Sequence, residues 1–259
     1  MLASTASAQF SRRDPATGEV YKVEFAYGWW RPVPTIDIAS EGLGIPPTLI
    51  DFEADLGIGK SRVREFRLVL RPARKHKFKI DYLPINYKVE GHILSRAIVF
   101  NGQSYVVGLP VNVDADFTTL KLGYEYDFVY KDRGFVGVLL ETKYTDITAS
   151  LTATVLSVTR TEFTHARGPI PAIGVIARGY IVPNISITGE FSGFPEVGTT
   201  GSSRYGGKYY DFDMYGTVNF SDHFGAQAGY RSLDVLYKVN KDSGTMKLKG
   251  LYFGGVARF

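Results

Sequence analysis

Two kinds of residue take turns along this chain. Between positions 21 and 30, Tyr21, Val23, Phe25, Tyr27 and Trp29 share one parity; Lys22, Glu24, Ala26, Gly28 and Trp30 share the other. A period of two is the mark of an extended strand whose two faces meet different surroundings. The pattern recurs. Phe66, Leu68 and Leu70 oppose Arg67 and Arg71, and Phe78, Ile80 and Tyr82 oppose Lys79 and Asp81. Leu120, Leu122, Tyr124, Tyr126 and Phe128 oppose Lys121, Glu125 and Asp127; Val136, Val138, Leu140 and Tyr144 oppose Glu141 and Lys143. Ile173, Val175 and Ile181 face away from Arg178, and Ile187 and Phe191 from Glu190. Phe212, Met214 and Val218 oppose Asp211 and Asp213; Phe224, Ala226 and Tyr230 oppose Gln227 and Arg231. The last segment sets Leu251, Phe253, Gly255, Ala257 and Phe259 against Tyr252, Gly254, Val256 and Arg258.

The connections alternate in length. Short turns are predicted at 72–76, 130–134, 182–184 and 221–223, and longer loops at 32–61, 92–106, 153–168, 195–208 and 239–245. Four hairpins supply eight strands, and one strand at each terminus makes ten. Eight strands remain an alternative if a terminal hairpin pairs differently, and twelve if residues 33–56 span. The strand near 21–31 is expected beside that near 247–259, because an unpaired edge would leave backbone amides without partners.

Alternation alone does not say which face is outside, since a soluble barrel alternates too. Four features favour a transmembrane, closed, antiparallel all-β barrel. The strands reach the length needed to cross a bilayer at a tilt. The turns are unequal in length at the two ends. The final residue is aromatic. Aromatic residues sit near strand ends, where an interfacial girdle belongs: Tyr21, Trp29, Trp30, Phe128, Tyr144, Phe220 and Phe224. A mean hydropathy of -0.06 excludes a bundle of transmembrane helices but suits a barrel, in which only alternate residues meet lipid.

The opposite face is charged. It carries Lys22, Glu24, Arg67, Arg71, Lys79, Asp81, Lys121, Glu125, Asp127, Glu141, Lys143, Arg178, Glu190, Asp211, Asp213, Arg231 and Arg258. In a narrow lumen such groups must be hydrated or paired. Arg67, Lys79, Glu125, Glu141 and Arg178 are the candidates to line a constriction. Two readings stay open: a narrow channel for small solutes, or a closed structural or surface-interaction barrel. A lipid-modifying enzyme is the third and weakest. The four histidines, His76, His92, His165 and His223, show no acyl-transfer arrangement, and the chain reads as non-enzymatic with no catalytic set.

No cysteine, no histidine pair at ligand spacing and no calcium loop point to a metal, and no cofactor is expected. Gly57-Ile58-Gly59-Lys60-Ser61 lacks the spacing of a phosphate loop. The acidic segment Asp51, Glu53 and Asp55 reads as a solvated loop. A net charge of +4 without a basic stripe gives no footing for nucleic acid. Residues 1–19 read as a signal-peptide remnant and tail, with Ala6-Ser7-Ala8 as the processing site, and 20–259 as the barrel domain.

The closing strand ending in Phe259, the Tyr-Asp-Phe-Asp-Met-Tyr-Gly-Thr-Val-Asn-Phe run at 210–220 and Gly-Tyr-Arg at 229–231 carry a family likeness. With them, residues from about 20 onward resemble small outer-membrane β-barrel proteins of the broad OmpA/OmpW-like superfamily. The resemblance implies a bacterial outer-membrane location with both termini in the periplasm, and contact with outer-membrane lipid and lipopolysaccharide. It also implies that the barrel-assembly machinery reads the closing strand, with Phe253 and Phe259 as the signal. It implies no functional residue set, no solute and no oligomeric state.

Overall fold

The computed structural model describes residues 16–41, 43–155, 158–198, 204–240 and 242–259. The expected processing site at Ala6-Ser7-Ala8 lies outside the described residues, as do positions 199–203 of the expected 195–208 loop.

The strands are β1 (Val23–Ala39), β2 (Ile50–Asp51), β3 (Val63–Ala73), β4 (His76–Ile93), β5 (Ile98–Phe100), β6 (Gln103–Tyr105), β7 (Pro110–Lys131), β8 (Gly134–Val155), β9 (Val158–Val182), β10 (Ile185–Val197), β11 (Tyr205–Asn219), β12 (Phe224–Val239) and β13 (Asp242–Arg258). Among the described residues, ten of them form a closed antiparallel barrel in the order β1, β3, β4, β7 and then β8 to β13. β1 closes on β13 from Glu24 opposite Arg258 to Ala39 opposite Ser243. β2 lies against the outer end of β1, and β5 and β6 form a hairpin apart from the barrel. Residues 33–39 continue β1 instead of starting a further span, so the twelve-stranded alternative falls away.

The closing seam is tight. Gly28 lies opposite Gly254, and a Cβ on Gly254 would stand 2.4 Å from the Tyr27 carbonyl oxygen. Glycine here lets two backbones approach where a side chain would push the seam apart.

Arg74–Lys75, Asp132–Arg133, Pro183–Asn184 and Phe220–His223 make the short connections, all at the end where β1 begins and β13 finishes. This is the periplasmic end. At the other end the strands overshoot the membrane. A crossing takes about 9–11 residues, whereas β8 has 22 and β9 has 25. Outside lipid the outer face of a strand meets water, so the lipid-facing half of the alternation fades while the Thr-rich sequence keeps its preference for strand. For that reason the described residues 153–155 and 158–168 and most of 239–245, expected as loops, extend β8, β9, β12 and β13 instead.

The lipid-facing belt runs through Phe25, Leu70, Phe78, Ile80, Leu122, Phe128, Leu140, Tyr144, Val175, Phe191, Met214, Phe220, Phe224, Leu251 and Phe253, all exposed. Trp29 leans on Phe253 across the seam, with ring centroids 5.8 Å apart. Two expected girdle residues are elsewhere. Trp30 has 0% exposure because its parity on β1 is that of Glu24 and Ala26, which point inward. Tyr21 is buried because regular pairing starts only at Val23; Lys22, expected in the lumen, is exposed for the same reason. Tyr21 instead lies beneath the guanidinium groups of Arg71 and Arg258, 5.2 and 5.8 Å from its ring centre.

Gly254→Ala is expected to lower the heat-modifiable, folded fraction on gels after refolding. Gly189→Ala, on the outer face of β10 where a Cβ meets nothing within 4 Å, is expected to leave that fraction unchanged.

Candidate functional site: a charge-paired lumen beneath an apolar chamber

Inward-pointing charges sit inside the membrane-spanning part of the barrel, each next in sequence to a lipid-facing residue. They find one another across the lumen. Glu65 on β3 meets Arg231 on β12 at 2.5 Å, and Arg231 meets Asp211 on β11 at 2.8 Å. Asp211 meets Lys121 on β7 at 3.1 Å, and Lys121 meets Asp81 on β4 at 3.1 Å. Asp81 meets Arg67 on β3 at 3.1 Å, and Arg67 returns to Glu65 at 3.7 Å. The six groups form a closed ring of alternating sign that ties β3, β4 and β7 to β11 and β12. Asp213 joins it through Arg67 at 3.2 Å and Lys143 through Asp211 at 3.3 Å. A void beside the ring, lined by Ala26, Glu65, Arg67 and Tyr252, measures about 20 Å3. That is room for about one water molecule.

Further pairs accompany the ring, one across the barrel and others between neighbouring strands. Lys79 reaches Glu190 on β10 at 2.5 Å, and Lys77 reaches Glu125 at 2.5 Å and Asp127 at 2.9 Å. Near the chain ends, Arg258 bonds Glu24 at 2.5 Å and donates to Asn219 at 2.7 Å. The segment before β1 lies across the periplasmic mouth, beside a cavity of about 310 Å3 lined by Glu19, Tyr21, Arg71 and Tyr130. Thr17 N–H donates to the Pro183 carbonyl at 2.8 Å, and Gly18 N–H to Asp222 at 2.9 Å. Glu19 takes the Tyr180 hydroxyl at 2.7 Å, with Arg178 at 3.3 Å and Arg71 at 3.5 Å. Sequence reading placed Glu19 in a tail; an isolated acid before the first strand gives no period to read.

Arg67, Lys79, Glu125, Glu141 and Arg178 all point inward and are buried. The structure brings Lys79 and Glu125 within 4.0 Å of each other but does not gather all five into one constriction. Arg67 belongs to the ring, Lys79 pairs with Glu190, and Glu125 with Lys77. Glu141 meets its strand neighbour Lys143 at 3.2 Å, and Arg178 reaches Glu19 at the mouth. The residues that complete the ring, Glu65, Asp81, Lys121, Asp211 and Arg231, come from strands whose shear the sequence does not show.

Above the charges the interior turns apolar. Trp30, Leu83, Ile85, Val113, Phe117, Tyr209, Leu233, Val235 and Leu248 form one buried cluster. Ile50, Phe52, Leu56 and Ile58 from the 40–62 connection and Leu94, Ile98, Phe100 and Tyr105 from 94–109 join it as a cap. The cap is tied together. Thr48 and Val99 exchange hydrogen bonds at 3.0 and 3.1 Å, and Arg96 makes a two-toothed pair with Asp55 while donating to the Leu49 carbonyl at 2.7 Å. The acidic segment has structural partners: Asp51 accepts the Glu53 and Ala54 N–H groups at 2.9 and 3.0 Å. The hydrogen bond from Arg96 holds the Asp55 carboxyl below its ordinary range.

The histidines are dispersed. His76 contacts the Tyr124 hydroxyl at 2.6 Å, His165 contacts Asp146 at 2.9 Å, and His223 contacts the Arg258 carbonyl at 3.0 Å. His92 lies beside Gly57, where a Cβ would meet its ring at 2.6 Å.

No family model matches the chain, and no curated protein matches it. Solved structures do. The outer membrane protease OmpT from Escherichia coli aligns over 92% of this chain and 96% of its own, with a TM-score of 0.56 and 7% identity. Ail, the attachment invasion locus protein of Yersinia pestis, aligns over 92% and 99% with a TM-score of 0.38 and 7% identity. The Ralstonia pickettii toluene transporter TbuX aligns over 95% and 92% with a TM-score of 0.36 and 12% identity. The feature shared with OmpT is the fold, a closed β-barrel of the kind that spans the bacterial outer membrane.

Removing one member of a buried ion pair strands its partner, at a cost of about 3–5 kcal/mol. Asp211→Ala, which strips Arg231, Lys121 and Lys143 of a carboxylate, is expected to lower the urea unfolding midpoint in lipid vesicles strongly. Met214→Leu on the outer face of the same strand is expected to leave it in place. The Asp55 contribution to the cap has the sign of a depressed carboxyl. It is present above the ordinary aspartate value of about 3.9 and lost as pH falls through the lower folded value. Limited proteolysis of residues 40–62 is expected to speed up at acid pH, and in Arg96→Ala at neutral pH.

Proposed function

We propose that this barrel conducts no solute and acts by contact at its outer, capped end. The observation that carries the reading is the closed ring of Glu65, Arg231, Asp211, Lys121, Asp81 and Arg67, whose charges are spent on one another across the lumen. An ion-selective pore instead lines its constriction with rings of one sign, facing water. The apolar cap above and Glu19 below support the same reading from the two ends. The neighbours by fold include a protease, an attachment protein and a toluene transporter, so fold alone assigns no activity.

In this reading the barrel performs no catalysis. Among the described residues, His76, His165 and His223 each contact a partner of their own, and the four histidines lie apart from one another. Outer-leaflet lipid and lipopolysaccharide surround the belt. Phe253 points outward on β13, and Phe259 stacks on His223 with centroids 6.4 Å apart. We assign these two aromatic residues the role of the contact read by the assembly machinery.

Planar-bilayer recording tests the reading. The refolded chain is expected to give no steady conductance, and Asp211→Ala or Arg231→Ala to introduce a leak. Steady conductance from the unaltered chain would overturn it in favour of the solute channel.

A further inference from the structure

The barrel wall has an opening. β9 and β10 pair from Val182 opposite Ile185 only as far as Ile173 opposite Gly193. β9 continues outward to Val158, paired with β8 alone among the described residues. β10 turns away with β11, through an irregular register between Phe194 and Val197. The sequence explains the break. Pro169 and Pro171 share a parity on β9, so their missing N–H groups fall on one side of the strand. Proline is tolerated in a sheet where that side has no partner. Pro195 stands on the facing strand.

The wall on the opposite side also thins out, and there the chain fills it. β3 starts only at Val63 and its pairing with β4 stops at Phe66 opposite Tyr82. The 40–62 connection packs Phe52, Leu56 and Ile58 into that region. Nothing in the described chain fills the gap between β9 and β10. It holds a cleft of about 350 Å3, within the ~300–1,000 Å3 of small-molecule sites. Ile147, Ile170, Phe194, Val235 and Tyr237 give it an apolar lining. Ile147 and Tyr237 also line a small void of about 30 Å3 in the apolar chamber behind it.

The height of the cleft identifies its occupant. Unpaired backbone in the hydrocarbon core costs several kcal/mol per group, so a gap belongs at or above the interface. Below it, Ile173 and Phe191 are exposed members of the lipid-facing belt. Above Ile173 the outward face of β9 changes to Pro171, Pro169 and Arg167, all exposed. The cleft is continuous with the lipid surface, opens at headgroup level and leads inward to apolar side chains. We propose that it takes one acyl chain of an outer-leaflet lipid, laid inward between β9 and β10, with its anionic headgroup at Arg167. The site goes beyond the closed-lumen reading and lies above the charge ring, so conductance and cleft occupancy succeed or fail separately.

Gly168 supplies the control. It lies on the cleft, and a Cβ there meets nothing within 4 Å, so a large side chain can fill the space without displacing the backbone. The full chain is refolded into phosphatidylglycerol vesicles containing a trace of phospholipid with a diazirine in its acyl chain, then irradiated and mapped by mass spectrometry. Adducts are expected at inward-facing Ile170, Ile147 or Tyr237 as well as at belt residues such as Leu140. Gly168→Trp should reduce the inward adducts severalfold while belt adducts and the folded fraction stay as they were. Adducts confined to the belt would overturn the proposal. So would inward labelling that Gly168→Trp leaves unaltered. A free fatty acid bearing the same diazirine that labels Ile170 when the phospholipid does not would reassign the site to a soluble amphiphile.

Discussion

A charged group inside a narrow barrel has no room for its hydration shell. It must meet an opposite charge, and in a barrel that charge can come from the far wall. The ring from Glu65 to Arg67 satisfies this requirement for six groups at once, using residues from five strands. Its consequence is rigidity. Two of its pairs, Glu65–Arg231 between β3 and β12 and Lys121–Asp211 between β7 and β11, join strands that are not neighbours in the sheet, so the barrel cannot widen there without stranding a buried charge. Replacing such pairs by apolar residues of equal volume is often neutral or stabilising, so their value here lies in specifying one arrangement.

The outer half of the interior follows a different rule. Once the strands leave the membrane, the inner faces of the described residues turn apolar; Leu83, Ile85, Leu233, Val235 and Leu248 line them and are covered by the cap from 40–62 and 94–109. The protein therefore resembles a soluble domain set on a membrane base. The transition runs through cation–aromatic contacts: the Arg231 guanidinium lies 5.5 Å from the Trp30 ring centre, and the Lys143 ammonium 4.5 Å from that of Tyr209. Where cap and strands leave one sector of the wall open, an apolar cleft faces the lipid.

The barrel was legible because lipid on one face and charge on the other enforce a period of two over ten segments. The tight turns and the pairing of the terminal strands followed from the same pattern. What lay beyond the membrane was not, since there water on the outside removes the contrast that made strands visible; 153–168 therefore reads as loop. The inward direction of Arg67, Lys79, Glu125, Glu141 and Arg178 could be read, but their partners depend on shear, which no local pattern encodes. Trp30 shows the limit of composition: its aromatic character suggested a girdle, while its parity with Glu24 already placed it inside. The Gly168-Pro169-Ile170-Pro171 run was the available signal for the open wall, because two prolines of one parity mark a strand edge.

The central claim is that the charge-paired lumen is sealed to water-borne solutes. The chain contains no cysteine, so a single Thr119→Cys reports on the level where the charges give way to the apolar chamber. The measurement is its reaction with a charged, membrane-impermeant thiol reagent in folded barrels in vesicles. The account predicts no labelling until the barrel is unfolded. Rapid labelling of the folded protein would contradict it, because a charged molecule would then have reached the middle of the lumen.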